Sequence, residues 1–452
     1  MKSITALANL GGSLGASLAL FALPVLLVAA PAGAQNTASA ADEVEYTFQI
    51  HDTLFTLARV YFTGPNAAAK VAALNHIANV RQIPPGKVLR IPRALLKDEQ
   101  SSAKIETFSG PVTVRSAAQS IPAKAGDVLG EGASIETGRN AFVALRLADG
   151  SVLALPSQSN LTISWLRKVV LNGALERDIK LNAGRLRTKV TPMTDPHSRF
   201  RVVTPIAVSA VRGTEFRVAY EPQGAFSATE VADGKVKFAD GSSSSGLDLP
   251  LGFGAANAGG KPTGIVKLLD PPKLDNPDKV QSDAELNFAI VPVPQASRYH
   301  VQIGKDAGFI EVIDEAVGAA PAFTLPSQPA DTYFVRVSAY DNVGLEGNPA
   351  TYTFERRRNL VKGGMDPAPP GVRRLRFRWD GTADGKPQYR FQLLQGGENG
   401  APVVDETGLT ENVLSVSNLP AGDYAWRVCS LMIVKGKVIA TWTAPQSIHV
   451  SK

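Results

Sequence analysis

The side chains that most often carry chemistry, His and Cys, are few and scattered. His51, His76, His197, His300 and His449 share no metal-ligand spacing, and Cys429 is the one cysteine. A single thiol excludes an intrachain disulfide and a Cys-based zinc site, and with no Cys near the N-terminus a lipoprotein anchor is excluded too. No His-containing constellation suggests a nucleophile with its base, and no Gly-rich loop runs into a helix with Lys-Ser/Thr. Carboxylate pairs stay open, because acids distant in sequence can meet in space. The expectation is a non-enzymatic chain that uses no cofactor and no metal.

Two polar features remain. Arg212-Gly213-Thr214 reads best as a backbone device, with Gly allowing a close approach and Thr a local hydrogen bond. Between Ile163 and Arg217, eleven Arg or Lys stand against four Asp or Glu. That concentration fits a solvated strand face, or a surface for an acidic partner, anionic lipid headgroups or cell-wall carboxylates.

The elements that must position these groups follow from length and pattern. The chain has 452 residues, with 47 Lys and Arg against 41 Asp and Glu, a net charge of +6. That length suggests two to four domains, and 44% hydrophobic residues supply real cores. Lys2 is the only charge before Asp42, and residues 11–34 are apolar or small, ending Ala32-Gly33-Ala34. This describes a secretory signal peptide over residues 1–34, cleaved after Ala34, with an uncleaved anchor as the alternative. Residues 35–45 read as a flexible leader. Export places the chain in the periplasm and argues against nucleic acid as a partner, and no later stretch is apolar enough to span a membrane.

Tyr46, Phe48 and Ile50 alternate with polar residues as a half-buried strand. Asp52 is placed to cap a helix whose Leu54, Leu57, Ala58 and Tyr61 form one apolar stripe. A second helix carries Ala68, Val71, Ala72 and Leu74; after Pro84-Pro85-Gly86 comes the strand Val88-Leu89-Arg90-Ile91. Residues 46–93 thus read as a small βααβ unit. This unit resembles a LysM domain, on Asp52-Thr53-Leu54, Leu57-Ala58, Tyr61, Leu74-Asn75, Ile83-Pro84-Pro85-Gly86 and Val88–Pro92. One departure is His51, where the family usually has Gly. The resemblance implies binding to N-acetylglucosamine chains, in peptidoglycan or a related polymer, through a shallow groove between two loops. Backbone amides there suit the N-acetyl amide, and apolar side chains suit its methyl and the ring face. By position, Asp52, Thr53, Leu54 and Phe55 form one rim, and Asn79, Val80 and Ile83 the other. Leu54 and Ile83 fit core or groove, and Asp52 fits a cap or a contact; Phe55 and Val80 lie off the apolar stripe.

Residues 103–240 read as one all-β domain. Asp149-Gly150 and Asp233-Gly234 each sit between alternating runs, a hairpin signal. This region resembles the FecR domain, on Ala125-Gly126-Asp127, Ile135-Glu136-Thr137-Gly138, Leu147–Ser151, Gly184-Arg185-Leu186, Phe200–Pro205 and Ala210–Phe216. In that family the domain is periplasmic and relays a signal through a membrane helix to a sigma factor, behind a cytoplasmic segment. Only about ten residues precede the apolar run here, so what the resemblance implies is a β module for protein interaction, with an envelope protein as partner. Residues 241–272, rich in Gly, Ser and Pro, read as a linker region.

The rest repeats. Leu286-Asn287-Phe288 aligns with Leu375-Arg376-Phe377, Tyr299–Ile303 with Tyr389–Leu393, and Tyr333–Val337 with Tyr424–Val428, at offsets of 89, 90 and 91. Residues 273–357 and 366–452 are therefore expected to be two β-sandwiches. They look like fibronectin type III modules, with Trp379 at the usual early-strand position and Ile290 in its place in the first copy. Trp379, Trp426 and Cys429 are expected in cores, while Trp442 suits core or surface. The fold expectation is a mainly β multidomain chain. The functional expectation is a peptidoglycan-binding envelope protein, with two alternatives: a sensory or signalling subunit working with a separate membrane partner, or a glycan hydrolase, for which no release of muropeptides is expected.

Overall fold

The computed structural model describes residues 43–116, 119–240, 246–366 and 374–451. The signal segment and the leader up to residue 42 lie outside the described residues. The fold is mainly β, with several sheets and two short α-helices near the start. Among the described residues no helix is long and apolar enough to cross a membrane.

The first unit begins earlier than the alternating pattern suggests. Its strand Glu43–Thr47 pairs antiparallel with Val88–Pro92, from Glu43 opposite Pro92 to Thr47 opposite Val88. The last three leader residues are therefore part of the sheet. Helices Leu54–Tyr61 and Ala67–Leu74 cover it. Val44, Phe48, Leu54, Leu57, Phe62, Val71, Leu89 and Ile91 form the core, and Val169 and Ala174 of the next unit join them. The cap of the first helix is Thr53, not Asp52. The Thr53 hydroxyl accepts from Thr56 N at 3.0 Å, and the Thr56 hydroxyl accepts from Thr53 N at 3.1 Å. That reciprocal pair satisfies two N–H groups that the helix start would leave open.

Strands from Asp98–Gln100 to Val266–Lys267 form one closed network of pairings. The long strand Leu175–Lys189 ties it together. Its first part pairs with Asn160–Val169 and, in parallel, with Arg199–Thr204; its second part pairs with Glu215–Glu221. The core runs through Ile105, Val143, Leu145, Leu161, Ile179, Phe200, Phe216 and Phe238. Asp149-Gly150 turns a hairpin, with Val152 opposite Arg146. Asp233-Gly234 does something else. Phe226–Asp233 pairs with Glu215–Glu221 and Phe253–Ala258, whereas Lys235–Ala239 pairs with Ala207–Val211 and Leu247–Pro250. The turn passes the chain from one sheet to another.

Those pairings correct the linker reading of 241–272. Leu247–Pro250, Phe253–Ala258, Lys261–Pro262 and Val266–Lys267 are strands of the same network. The small residues that suggested a linker are packed: Ala255 and Ala256 are fully buried, and a Cβ on Gly254 would meet the Thr229 carbonyl at 2.8 Å. Gly213 has φ +119°, and a Cβ there would sit 2.5 Å from Pro192 Cα, which accounts for its place in Arg212-Gly213-Thr214. The Arg212 guanidinium closes the same turn on the carbonyls of Asp195 and Pro196, at 2.7 and 2.9 Å.

Two sandwiches follow. The first sets Leu286–Ala289 and Ala322–Leu325 against the sheet of Val312–Gly318, Arg298–Gly304, Asp331–Tyr340 and Ala350–Arg356. The second sets Asn359–Met365, Arg374–Ala383 and Val413–Ser417 against a five-stranded sheet built on Gln388–Gln395 and Gly422–Val434. Its first strand starts only three residues after the first sandwich ends. The repeat extends to a hydrogen bond. Tyr333 donates to the Pro329 carbonyl at 3.1 Å, and Tyr424, 91 residues on, donates to the Pro420 carbonyl at 3.0 Å. Each ring is locked in its core by a bond to the turn that precedes its strand. Trp379, Trp426 and Cys429 are buried, while Trp442 is half-buried under the guanidinium of Arg427, 4.6 Å from the ring centre.

Candidate functional site

The candidate contact face of the first unit is built on the turn after its opening strand. Asp52 turns its carboxylate back into that turn. It accepts from the Tyr46 hydroxyl and from Gln49 N, both at 2.7 Å. Burial and the Asp52 carboxylate push the Tyr46 phenol up to about 12. Asp52 is thus a turn clamp, which corrects the helix-cap reading. His51, next to it, has φ +73°, the left-handed backbone that Gly adopts freely.

Of the seven candidate contact residues, the structure turns some outward and some inward. Phe55 is 75% exposed and Val80 48%. Leu54 and Ile83 belong to the core instead, at 2% and 9% exposure, because Leu54 opens the buried face of its helix. Their side chains cannot reach a ligand, and this corrects their assignment to the rims. Thr53 is exposed, but its hydroxyl is engaged in the helix cap. Asn79 is exposed and spans its own loop, accepting from Arg81 N at 3.0 Å and donating to Gln82 Oε1 at 3.1 Å. Sequence reasoning missed Ile50, which is 71% exposed. The alternating pattern put it on the buried face of a strand, yet the strand ends at Thr47 and Ile50 falls in the turn. Ile50 and Phe55 are the most exposed large apolar side chains of this unit, ahead of Val60, Val80 and Val88.

Most arginines of the basic concentration in the middle unit are paired, while Lys168, Lys180 and Lys189 face solvent. Arg167 binds Asp98 and Glu131, each at 2.6 Å, and Arg93 of the first unit binds Asp98 at 2.7 Å and Glu176 at 2.8 Å. Trp165 donates its indole N–H to Glu176 at 3.3 Å. This group fastens the first unit to the hairpin Asn160–Val169/Leu175–Lys189. Arg177 pairs with Asp149, and Arg201 with Asp178. The solvated-face reading thus holds for the lysines, and the paired arginines are fastenings instead.

A second group fastens the middle unit to the first sandwich. Outward side chains of Leu175–Lys189 and Glu215–Glu221 meet the loop 341–347 and the sheet face carrying His300, Ser338 and Tyr340. Arg185 binds Glu346 at 2.7 Å and also the Tyr340 hydroxyl. Arg217 donates to the carbonyls of Glu346 at 2.5 Å and Gly347 at 3.0 Å, and pairs with Glu230 at 3.3 Å. The Glu346 carboxylate also takes Ser338 Oγ at 2.5 Å and lies 3.3 Å from His300 Nδ1, while His300 Nε2 is 3.0 Å from Glu315. Burial works against ionising Glu346, but Arg185, His300 and Arg217 outweigh it and hold the carboxyl well below its usual range. Burial likewise opposes a charged His300, and the hydrogen bonds to Glu315 and Glu346 outweigh it and raise its pKa. Beside these ions Leu345, 1% exposed, packs with Ala219, Ala228, Ala256 and Leu268.

Among the described residues no cluster of His, Cys, Asp and Glu could hold a metal ion.

Comparison with known proteins bears on the middle unit. Residues 133–237 match the family model described as FecR protein, and this unit is a FecR domain. A search of curated proteins finds no match to the chain. Among solved structures, the chain is similar to a Parabacteroides distasonis protein provisionally assigned as an anti-sigma factor. Identity is 20% and the TM-score 0.25, over 30% of this chain and 59% of that one. It is also similar to a two-domain fibronectin type III segment of chicken tenascin (16% identity, TM-score 0.19, 38% of this chain and 99% of that one). A third likeness is to the fibronectin(III)-like modules of Clostridium thermocellum CbhA (10%, 0.21, 39% and 90%). Scores this low define neither a shared whole fold nor a shared function.

Proposed function

We propose that the chain is a non-enzymatic, exported envelope protein of the periplasm. Its first unit, a LysM-type module, binds the N-acetylglucosamine chains of peptidoglycan, and the FecR domain and the sandwiches present surfaces to an envelope protein. The observation that carries the glycan reading is the exposure of Ile50, Phe55 and Val80 on a unit whose other large apolar side chains are mostly core. Exposed apolar side chains beside loop amides suit a sugar ring with an N-acetyl group. Retention of the purified chain on peptidoglycan tests the reading. Retention unchanged in an Ile50→Ser/Phe55→Ala double variant would remove this face from the account.

A second reading follows from the FecR domain: a signalling subunit that works through a separate membrane protein. The family match over residues 133–237 favours it. Affinity purification from detergent-solubilised envelopes tests it, and the expected outcome is a stoichiometric transmembrane partner. Absence of any such partner, with peptidoglycan retention intact, would leave the wall-binding role alone.

A further inference from the structure

The seam between the FecR domain and the first sandwich contains two arginines that no carboxylate of the described residues hydrogen-bonds. Arg187 is two residues from Arg185 on the same face of Leu175–Lys189, directly opposite Arg217 in register. It makes no hydrogen bond or ion pair among the described residues. Arg336 is two residues from Ser338 on the same face of Asp331–Tyr340. Its guanidinium stacks 3.9 Å over the Phe309 ring and donates one long bond, 3.3 Å, to the Ala307 carbonyl. Its Nε is buried without a partner.

Neighbouring carboxylates supply only part of the missing charge. Glu346 is engaged by Arg185, Ser338 and His300, and Glu230 by Arg217 and Glu346 N. Burial lowers the Arg336 pKa to about 9; Arg187 and Arg217 add like-charge repulsion, which Glu346 and Asp306 only partly offset. Burial, and then Arg217, likewise lowers that of Arg187, against a smaller opposing pull from Glu346 and Glu215. Two half-buried guanidiniums that repel each other are costly unless an anion joins them. A planar fork donates two parallel bonds to a carboxylate or phosphate. Both residues keep part of their surface open to solvent.

We propose that this seam binds an oxyanion, a phosphate or carboxylate group held between Arg187 and Arg336. The site is separate from the glycan face and does not depend on it. A bound anion bridges the FecR domain and the first sandwich, so occupancy tightens the joint between them.

The test uses the full chain. Isothermal titration with inorganic phosphate, with sodium chloride at matched ionic strength as the control, is expected to show one saturable site. Calorimetry in the same buffers is expected to show a melting temperature about 2 °C or more higher in phosphate. Arg187→Gln/Arg336→Gln should lose the phosphate response and weaken binding at least about tenfold. Arg187→Lys/Arg336→Lys keeps the charge and loses the fork, and serves as the second variant if the first does not fold; it too should bind more weakly. Acetate that displaces phosphate supports the site with carboxylates as ligands, and phosphate that acetate cannot displace supports it with phosphate alone. No saturable binding to the unmodified chain, or an undiminished response in either folded variant, overturns the proposal.

Discussion

The Glu346 carboxylate, on a loop of the first sandwich, stands 2.7 Å from the Arg185 guanidinium on the FecR strand Leu175–Lys189. Ser338 and His300 hold the same carboxylate from its own side. Glu346→Ala leaves Arg185 without its carboxylate and His300 with one carboxylate fewer. Losing one partner of a buried pair costs about 3–5 kcal/mol. The expected calorimetric result is a lower, broader transition as the two units unfold out of step. An unchanged single peak would show that the ions do not couple them.

The same seam predicts a pH profile. His300, with a raised folded pKa, stabilises fully below its ordinary 6.5, and that stabilisation is lost as pH rises through the folded value. Burial works against charging Glu315, yet its hydrogen bond to His300 holds it down at about 2, and Glu346 is lowered too. Their stabilisation is present above the ordinary 4.5 and is lost as pH falls towards about 2. Stability should therefore peak at mildly acid pH and decline on both sides. Melting temperatures across pH, compared with His300→Gln, check this. The variant should lose the decline on the alkaline side, and keeping it would assign that decline elsewhere.

Leu345→Ala isolates the apolar part of the joint. The side chain is buried among Ala219, Ala228, Ala256 and Leu268, and truncation of a buried Leu costs about 2–5 kcal/mol. Proteolysis is expected to open the loop 341–347 before either unit is cut. Cleavage at the wild-type rate would mean that the ions alone hold the joint.

On the first unit, neighbouring residues should behave in opposite ways. Phe55→Ala should leave the unfolding free energy within about 0.5 kcal/mol of wild type, since the ring is exposed, while reducing retention on peptidoglycan. Leu54→Ala should cost about 2–5 kcal/mol, because its side chain lies in the core. Binding lost in Leu54→Ala but kept in Phe55→Ala would remove Phe55 from the contact face.

His51→Gly should stabilise the chain by about 1 kcal/mol, because the residue sits at φ +73°. Chemical denaturation gives the number. A loss of stability would mean that the imidazole makes a contact worth more than the backbone strain.

Much of this was legible in sequence, for identifiable reasons. The repeat was readable because matching strand residues recur at a nearly constant offset, and Tyr333 and Tyr424 fill the same place in each copy, bonded to a turn carbonyl four residues back. Phe55 and Val80 were readable because they leave an apolar stripe. The failures share a cause, since each depends on tertiary pairing. Residues 247–267 look like linker in composition and become strands because the FecR sheets still have edges to fill. Asp52 looks like a helix cap, but Tyr46 and Gln49 both donate to its Oδ2, and Thr53 takes the cap position. The basic run looks like a surface until Glu346, in another unit, is brought against Arg185.

The joints have a mechanical consequence. A Gly/Ser tether would give the ends of the chain a broad distribution of separations. Here ion pairs and inserted side chains fasten the first unit to the FecR domain and that domain to the first sandwich. Lys437 then binds the Asp278 carbonyl across the next boundary at 3.2 Å. The chain behaves as a bracket with a set span. Whatever holds one end fixes the heading of the other, and two attachments a bracket apart reinforce each other only if their spacing matches its length.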